Sequence, residues 1–200
     1  MAGEHDRAAE ILYRAASVDT SAAASPLLLA ERLLGQGSVR SVNLPSLPGD
    51  GALVRVRGNW RIYVQTGIGP TRSRWAILHE IGHWVLGVGA PEDECDSLAA
   101  ALAAPRSAFA LLAGQVGQQY TQLALQFTCS ESLAALRYAE VTGSPSALIT
   151  PHRVRLRGDS WPWPRERDLR EIAQCGGPGL RRCRLQDAPD RVVLSASVAA

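Results

Sequence analysis

The stretch Arg74-Trp75-Ala76-Ile77-Leu78-His79-Glu80-Ile81-Gly82-His83 decides how this chain is read, because here residue type and spacing together specify chemistry. On a helix the two histidines stand at i and i+4, one helical turn or about 6 Å apart along the axis, so both imidazoles reach one divalent cation. Glu80 lies beside them. A carboxylate there that does not ligate the ion can take a proton from an attacking water, the role the H-E-x-x-H pattern gives it. Local signals favour the helix: Arg72 to Leu86 contain no proline, Thr71 can cap the start, and Trp75, Leu78, Gly82, Val85 and Leu86 fall mostly three or four apart. Gly82 costs about 1 kcal/mol of helix propensity relative to alanine, but it leaves room for a neighbouring element beside the ligands. Gly87 and Gly89 then stop the helix.

A catalytic zinc usually takes three protein ligands and keeps a fourth position for water. The third donor is sought in Pro91-Glu92-Asp93-Glu94-Cys95-Asp96. Pro91 suits the first turn of a second helix that continues as Leu98 to Ala104 and ends at Pro105, and the turn from Gly87 to Ala90 lets the chain reverse. Glu92 then faces back toward the histidines as the third ligand. Asp96, one turn later on the same side, is placed to accept the outer N–H of a ligating imidazole. Glu94 points elsewhere. The plainer reading of Glu92 is an acidic first turn that complements the helix dipole.

The motif from Arg74 to His83, followed by Glu92-x-x-Cys95-Asp96-x-Leu98-Ala99 and Pro105, resembles the ImmA/IrrE family of bacterial and phage metallopeptidases. The similarity continues at Phe127-Thr128-Cys129-Ser130-Glu131-Ser132-Leu133-Ala134-Ala135-Leu136-Arg137-Tyr138 and covers roughly residues 25 to 157. It implies a zincin-like peptidase with Zn²⁺, or Mn²⁺, that cuts a helix-turn-helix repressor. On that footing His79, His83 and Glu92 are the metal ligands, Glu80 is the catalytic base and Asp96 supports a ligand. The chain departs from the family text where Leu98 replaces an aromatic, Cys95 replaces alanine, and Ala103-Ala104-Pro105 replaces a bulkier Leu-Met-Pro. All three are read as packing positions that leave the metal chemistry untouched.

Composition sets the remaining bounds. At 200 residues and 46% apolar content the chain has ample material for a core, and a net charge of +2 demands neither a nucleic-acid nor a membrane partner. All 21 basic residues are arginine, which reads as codon bias and gives individual arginines little weight. No apolar run reaches the roughly 18 residues of a membrane span, and Met1 to Glu10 lack a signal-like apolar segment, so a cytoplasmic location is expected. Cysteines 95, 129, 175 and 183 form no C-x-x-C pair and have no histidine beside them in sequence, so free thiols are expected rather than a second zinc site.

Elsewhere, residues 7–16 and 26–34 have helical spacing, with Ser25-Pro26 a proper helix start and a linker between the two. Residues 38–65 read as a small sheet whose last strand is Trp60-Arg61-Ile62-Tyr63-Val64, after a turn at Arg57-Gly58-Asn59. An edge strand of that sheet could bind a substrate backbone by strand addition, although which strand is the edge is not legible. Three short helical runs follow, at 107–113, 120–127 and 130–142, the last capped by Ser130. The Tyr120–Tyr138 pair has a helix-turn-helix look. Its second helix carries only Arg137 as a basic residue, so direct nucleic-acid binding is not expected and packing under the metal site is. From Thr150 the tail alternates basic and apolar residues at 152–157, turns at Trp161-Pro162-Trp163-Pro164, and carries a helix at 165–174 and a strand at 191–195. His152 reads as a surface histidine, and Tyr63, Tyr120 and Tyr138 are unassigned as oxyanion donors.

The expected architecture is therefore α+β: residues 1–24 an N-terminal helix and linker, 25–149 a zincin-like domain with a small antiparallel sheet packed on the motif helix and a helical segment at 107–142, and 150–200 a β-containing appendage. The rival to a peptidase is a non-catalytic metal-binding regulator that binds a repressor or DNA.

Overall fold

The computed structural model describes residues 2–20, 25–47, 49–158, 166–175 and 180–196. It is an α+β fold whose residues cluster into two compact units. The first holds Met1–Ala108 with Phe127–Cys129, and the second holds Phe109–Gln126 with Ser130–Ala200. Among the described residues no single helix is long and apolar enough to cross a membrane.

The first unit begins with helices α1 (Ala2–Ala15) and α2 (Pro26–Leu34), followed by strands β1 (Val39–Val42), β2 (Gly51–Val56) and β3 (Asn59–Gln65). Helices α3 (Pro70–Leu86) and α4 (Glu92–Ala103) complete it. The strand order is β1-β3-β2, with β1 parallel and β2 antiparallel to β3. The sheet is thus mixed and not antiparallel as expected. The long connection from Asn43 to Asp50 carries the chain past β3, so β2 joins the far edge and runs back into β3. That return is a two-residue turn in which Arg57 and Gly58 both have positive φ, at 50° and 87°, the geometry that matches strand twist in tight hairpins. Asn59 belongs to the strand.

Alternation in β3 buries Ile62 and Val64 against a core that includes Leu29, Ala76, Ile77, Ile81, Leu98 and Leu102. Each fully buried branched side chain contributes about 1.5–3 kcal/mol relative to exposure. Helix α1 belongs to this same core through Ala9 and Tyr13, with Ala16 just after it, and the Tyr13 hydroxyl donates to the Leu102 carbonyl at 2.6 Å. An N-terminal segment separate from the motif domain is therefore not what forms: α1 has an apolar stripe that α4 covers.

Helix α3 starts earlier than Thr71. Gly69 is the N-cap and Pro70 takes the first position, where its fixed φ suits a helix start and its missing N–H costs nothing. Thr71 lies inside the first turn. In α4 the corresponding shift places Pro91 at the N-cap, with Glu92, Asp93 and Glu94 in the first turn.

The second unit contains α5 (Arg106–Val116, from Phe109 onward), most of α6 (Tyr120–Phe127), α7 (Glu131–Thr142) and α8 (Glu166–Cys175). Its sheet has the order β5-β4-β7-β6, formed by β4 (Ser146–Ile149), β5 (Val154–Arg157), β6 (Leu180–Arg184) and β7 (Val192–Ala196), all antiparallel. Ala147, Ile149, Val192 and Leu194 on one face pack with Leu169 and Ala173 of α8.

Two expectations are corrected here. The boundary between 149 and 150 falls inside the β4–β5 hairpin, so the tail is not an appendage of its own. The helices of 107–142 belong mostly to the second unit and not to the one that holds the motif helix, and within that unit α7 packs on β4 and β5. The turn expected at Trp161–Pro164 lies outside the described residues.

Candidate metal centre

Helices α3 and α4 pack against each other, with their closest approach at Gly82. A Cβ built there would stand 3.1 Å from both Cα and O of Cys95. Only glycine lets the α4 backbone come so near, and the close approach brings the stripe of Glu92, Cys95 and Asp96, at i, i+3 and i+4, against the motif face of α3.

From α3, His79 and His83 present their rings edge to face, with centroids 4.8 Å apart. Their Nε2 atoms lie 3.1 Å from each other. Glu92 reaches both, with Oε2 at 3.0 Å from His79 Nε2 and Oε1 at 3.5 Å from His83 Nε2. One ligand atom from each of the three residues lies within 4.8 Å of the others, a spacing that could hold a metal ion. The outer nitrogen of His79, Nδ1, stands 3.1 Å from Asp96 Oδ1. Asp96 can accept an N–H from Nδ1, and a neutral ring in that tautomer has its Nε2 lone pair on the side of Glu92 and His83. This hydrogen bond also holds the His79 pKa above the ordinary imidazole value, against the opposite pull of burial. Two imidazole nitrogens and a carboxylate oxygen are the donor set that borderline divalent ions such as Zn²⁺ take.

Glu80, on the same helix, is 7% exposed. Burial raises its pKa, while the neighbouring histidines and the Leu53 backbone N–H pull the other way. That N–H belongs to β2, an edge of the sheet that packs on α3. Gly51 of the same strand comes so near that a Cβ there would meet Glu80 Cγ and Oε1 at 3.3 Å. The start of β2 is tied to α3 by Arg72, whose Nε donates to Asp50 Oδ2 at 2.8 Å and whose Nη2 donates to Oδ1 at 2.5 Å. Between β2 and the two helices lies a cleft of about 430 Å³, lined by Asp50, Gly51, Leu53, His79, Glu80 and Glu92 among others.

The structure thus brings His79, Glu80, His83, Glu92 and Asp96 to one cleft. Glu94 leaves it and pairs with His5 of α1 at 2.8 Å. His152 lies on the exposed turn before β5, in the second unit, as do Tyr120 and Tyr138, whose rings pack against each other. Tyr63 is in β3 and does not line the cleft. Cys95 is where sequence reasoning fell short. It is fully buried, and its Sγ lies 3.3 Å from His83 Nδ1. A packing position without a histidine neighbour does not describe it. The signal was its place in the i, i+3, i+4 stripe with Glu92 and Asp96. Burial and the surrounding carboxylates push its thiol pKa up to about 11, so the group is a neutral thiol. Among the described residues Cys95, Cys129 and Cys183 form no disulfide.

The fold and site together define an α+β protein with a His-His-Glu group able to hold a metal. No protein-family model matches the sequence, and no curated protein matches it. Among solved structures, the chain is similar to a Mycobacterium tuberculosis transcriptional regulator, with a TM-score of 0.63 and 13% identity over 98% of this chain and 76% of that one. At that identity the likeness is one of fold.

Proposed function

We propose that this protein is a zinc-dependent endopeptidase of the ImmA/IrrE type, acting on a helix-turn-helix repressor. The observation that carries the reading is the convergence of His79 Nε2, His83 Nε2 and a Glu92 oxygen beside a fourth acid, Glu80, that is left over from the ligand set. His79, His83 and Glu92 would hold Zn²⁺, or Mn²⁺ in its place. A divalent ion so held supplies Lewis acidity toward a peptide carbonyl and makes a nearby water more acidic. Glu80 takes the proton of the attacking water and returns it to the leaving amine, a task that needs a carboxylate at the cleft without a ligand's duty. Asp96 keeps His79 in the ligating tautomer by accepting its Nδ1–H. Substrate backbone enters beside β2, an edge strand at the cleft. The repressor as substrate class comes from the family resemblance.

A non-catalytic regulator that keeps the ion and only binds a repressor or DNA is the rival, and a binder has no need of Glu80. Incubation with a candidate repressor, with and without chelator and alongside Glu80→Gln, separates the two. Chelator-sensitive cleavage that disappears in Glu80→Gln is the expected result. Binding that survives chelation, with no cleavage of any candidate, would overturn the peptidase reading.

A further inference from the structure

We propose that Cys95 is a positioning residue for His83: its sulfur accepts the Nδ1–H of that imidazole and so directs Nε2 toward Glu92 and His79. The inference rests on reading this cluster as a metal centre. Among the described residues, Cys95 Sγ is the polar atom within reach of His83 Nδ1, at 3.3 Å, and it is fully buried. A neutral imidazole carries one N–H, and where Nε2 serves a metal centre with His79 and Glu92 that N–H falls on Nδ1, whose neighbour is Cys95 Sγ. With Nδ1–H turned to sulfur, the lone pair is on Nε2, 3.1 Å from His79 Nε2 and 3.5 Å from Glu92 Oε1.

The placement follows from the backbone. Gly82 admits Cys95 to van der Waals contact with α3, one residue before the ligand that Cys95 faces. Consecutive residues of α4 therefore serve different histidines, Cys95 behind His83 and Asp96 behind His79. The two supports are unequal. A carboxylate gives a charge-assisted hydrogen bond, whereas a thiol is a weak, neutral acceptor. A small residue that merely fills space would explain the burial of Cys95 but gives no role to the sulfur.

The test uses Co²⁺ as the probe with the full chain, comparing wild type, Cys95→Ser and Cys95→Ala by visible absorption and chelator competition. Loss of an outer partner of a ligating histidine typically weakens metal affinity 10- to 100-fold; a weak acceptor points to about tenfold for Cys95→Ala with an altered Co²⁺ spectrum, and to rescue within about threefold by the serine hydroxyl. Metal-free melting curves of the three proteins separate this from a change in folding. Cys95→Ala binding Co²⁺ within about twofold of wild type, with the same spectrum, overturns the positioning role and leaves the metal centre standing. Failure of the wild type to bind Co²⁺ overturns both. Should Cys95→Ala not fold, ¹⁵N spectra of wild-type His83 decide. A protonated Nδ1 with slowed exchange is expected in the metal-loaded form, and an unprotonated Nδ1 overturns the role.

Discussion

Glu80 and Glu131 are both buried carboxylates, 7% and 4% exposed, yet they live in opposite surroundings. Glu131 opens α7 in the second unit and is enclosed by donors: the backbone N–H groups of Gln186 and Asp187 and the Thr121 hydroxyl all point at it. Its own backbone N–H is in turn taken by Asp187 Oδ2 at 2.9 Å. Glu80 has the Leu53 N–H and two neighbouring imidazoles, and otherwise faces a cleft. A buried charge matched by fixed donors holds a scaffold together. One whose neighbourhood keeps a surplus of lone pairs at an opening is arranged for something that is to come in.

The largest effect that would sharpen this contrast is on rate. Glu80→Gln should lower cleavage of a susceptible repressor by about 10²–10⁴-fold, followed by gel or mass spectrometry, while Co²⁺ stoichiometry stays unchanged. A mutant that cleaves at the wild-type rate would put Glu80 in the same category as Glu131. The second test runs the other way. Glu131→Ala strands several donors at once, each costing about 1–3 kcal/mol, so chemical denaturation should show a loss of about 3 kcal/mol with no change in metal affinity. Metal loading is third: Zn²⁺ at a hundred times its dissociation constant should stabilise the wild type by about 2.7 kcal/mol, and His83→Ala should abolish the gain.

The smallest effect concerns buried hydroxyls. Tyr13→Phe removes the bond to Leu102 and should cost about 1 kcal/mol at neutral pH. Burial pushes the Tyr13 pKa up to about 12, so above the ordinary value near 10 the unfolded chain releases a proton that the folded one keeps. Stability from this group is therefore whole below about pH 10 and declines from there toward 12, by up to about 1.4 kcal/mol per pH unit. Tyr13→Phe should flatten that decline without removing it, because burial also raises the Tyr120 pKa in the second unit.

The α+β class was legible in the sequence, and the reason is periodicity. The motif helix, the helix after Pro91 and the alternation of Trp60 to Val64 each announce their period within one short window. Strand β4 was missed because Ser146–Ile149 is buried throughout and has no alternation to read. Strand β6 was missed because Leu180–Arg184 is mostly arginine, the signature of a solvated segment and not of an edge strand. Without these two strands the second sheet could not be seen, and the helices of 107–142 were grouped with the motif helix although they belong mostly to the second unit. At the site, the acidic stripe of α4 could be read from spacing because carboxylates have few uses near histidines. Cys95 could not, since a thiol in a helix reads as a small apolar residue until a neighbour shows what its sulfur faces.

One hydrogen atom, the side chain of Gly82, sits at the fulcrum of the whole cluster. Three residues of α4 reach across from a single rigid rod, so anything bulkier at that point would lever all of them outward together. Such a lesion would spare every donor in the sequence and still move the constellation, by a few tenths of an ångström for a single methyl group. An intact motif text is thus no guarantee of a working centre unless the bare residue between the histidines is present as well.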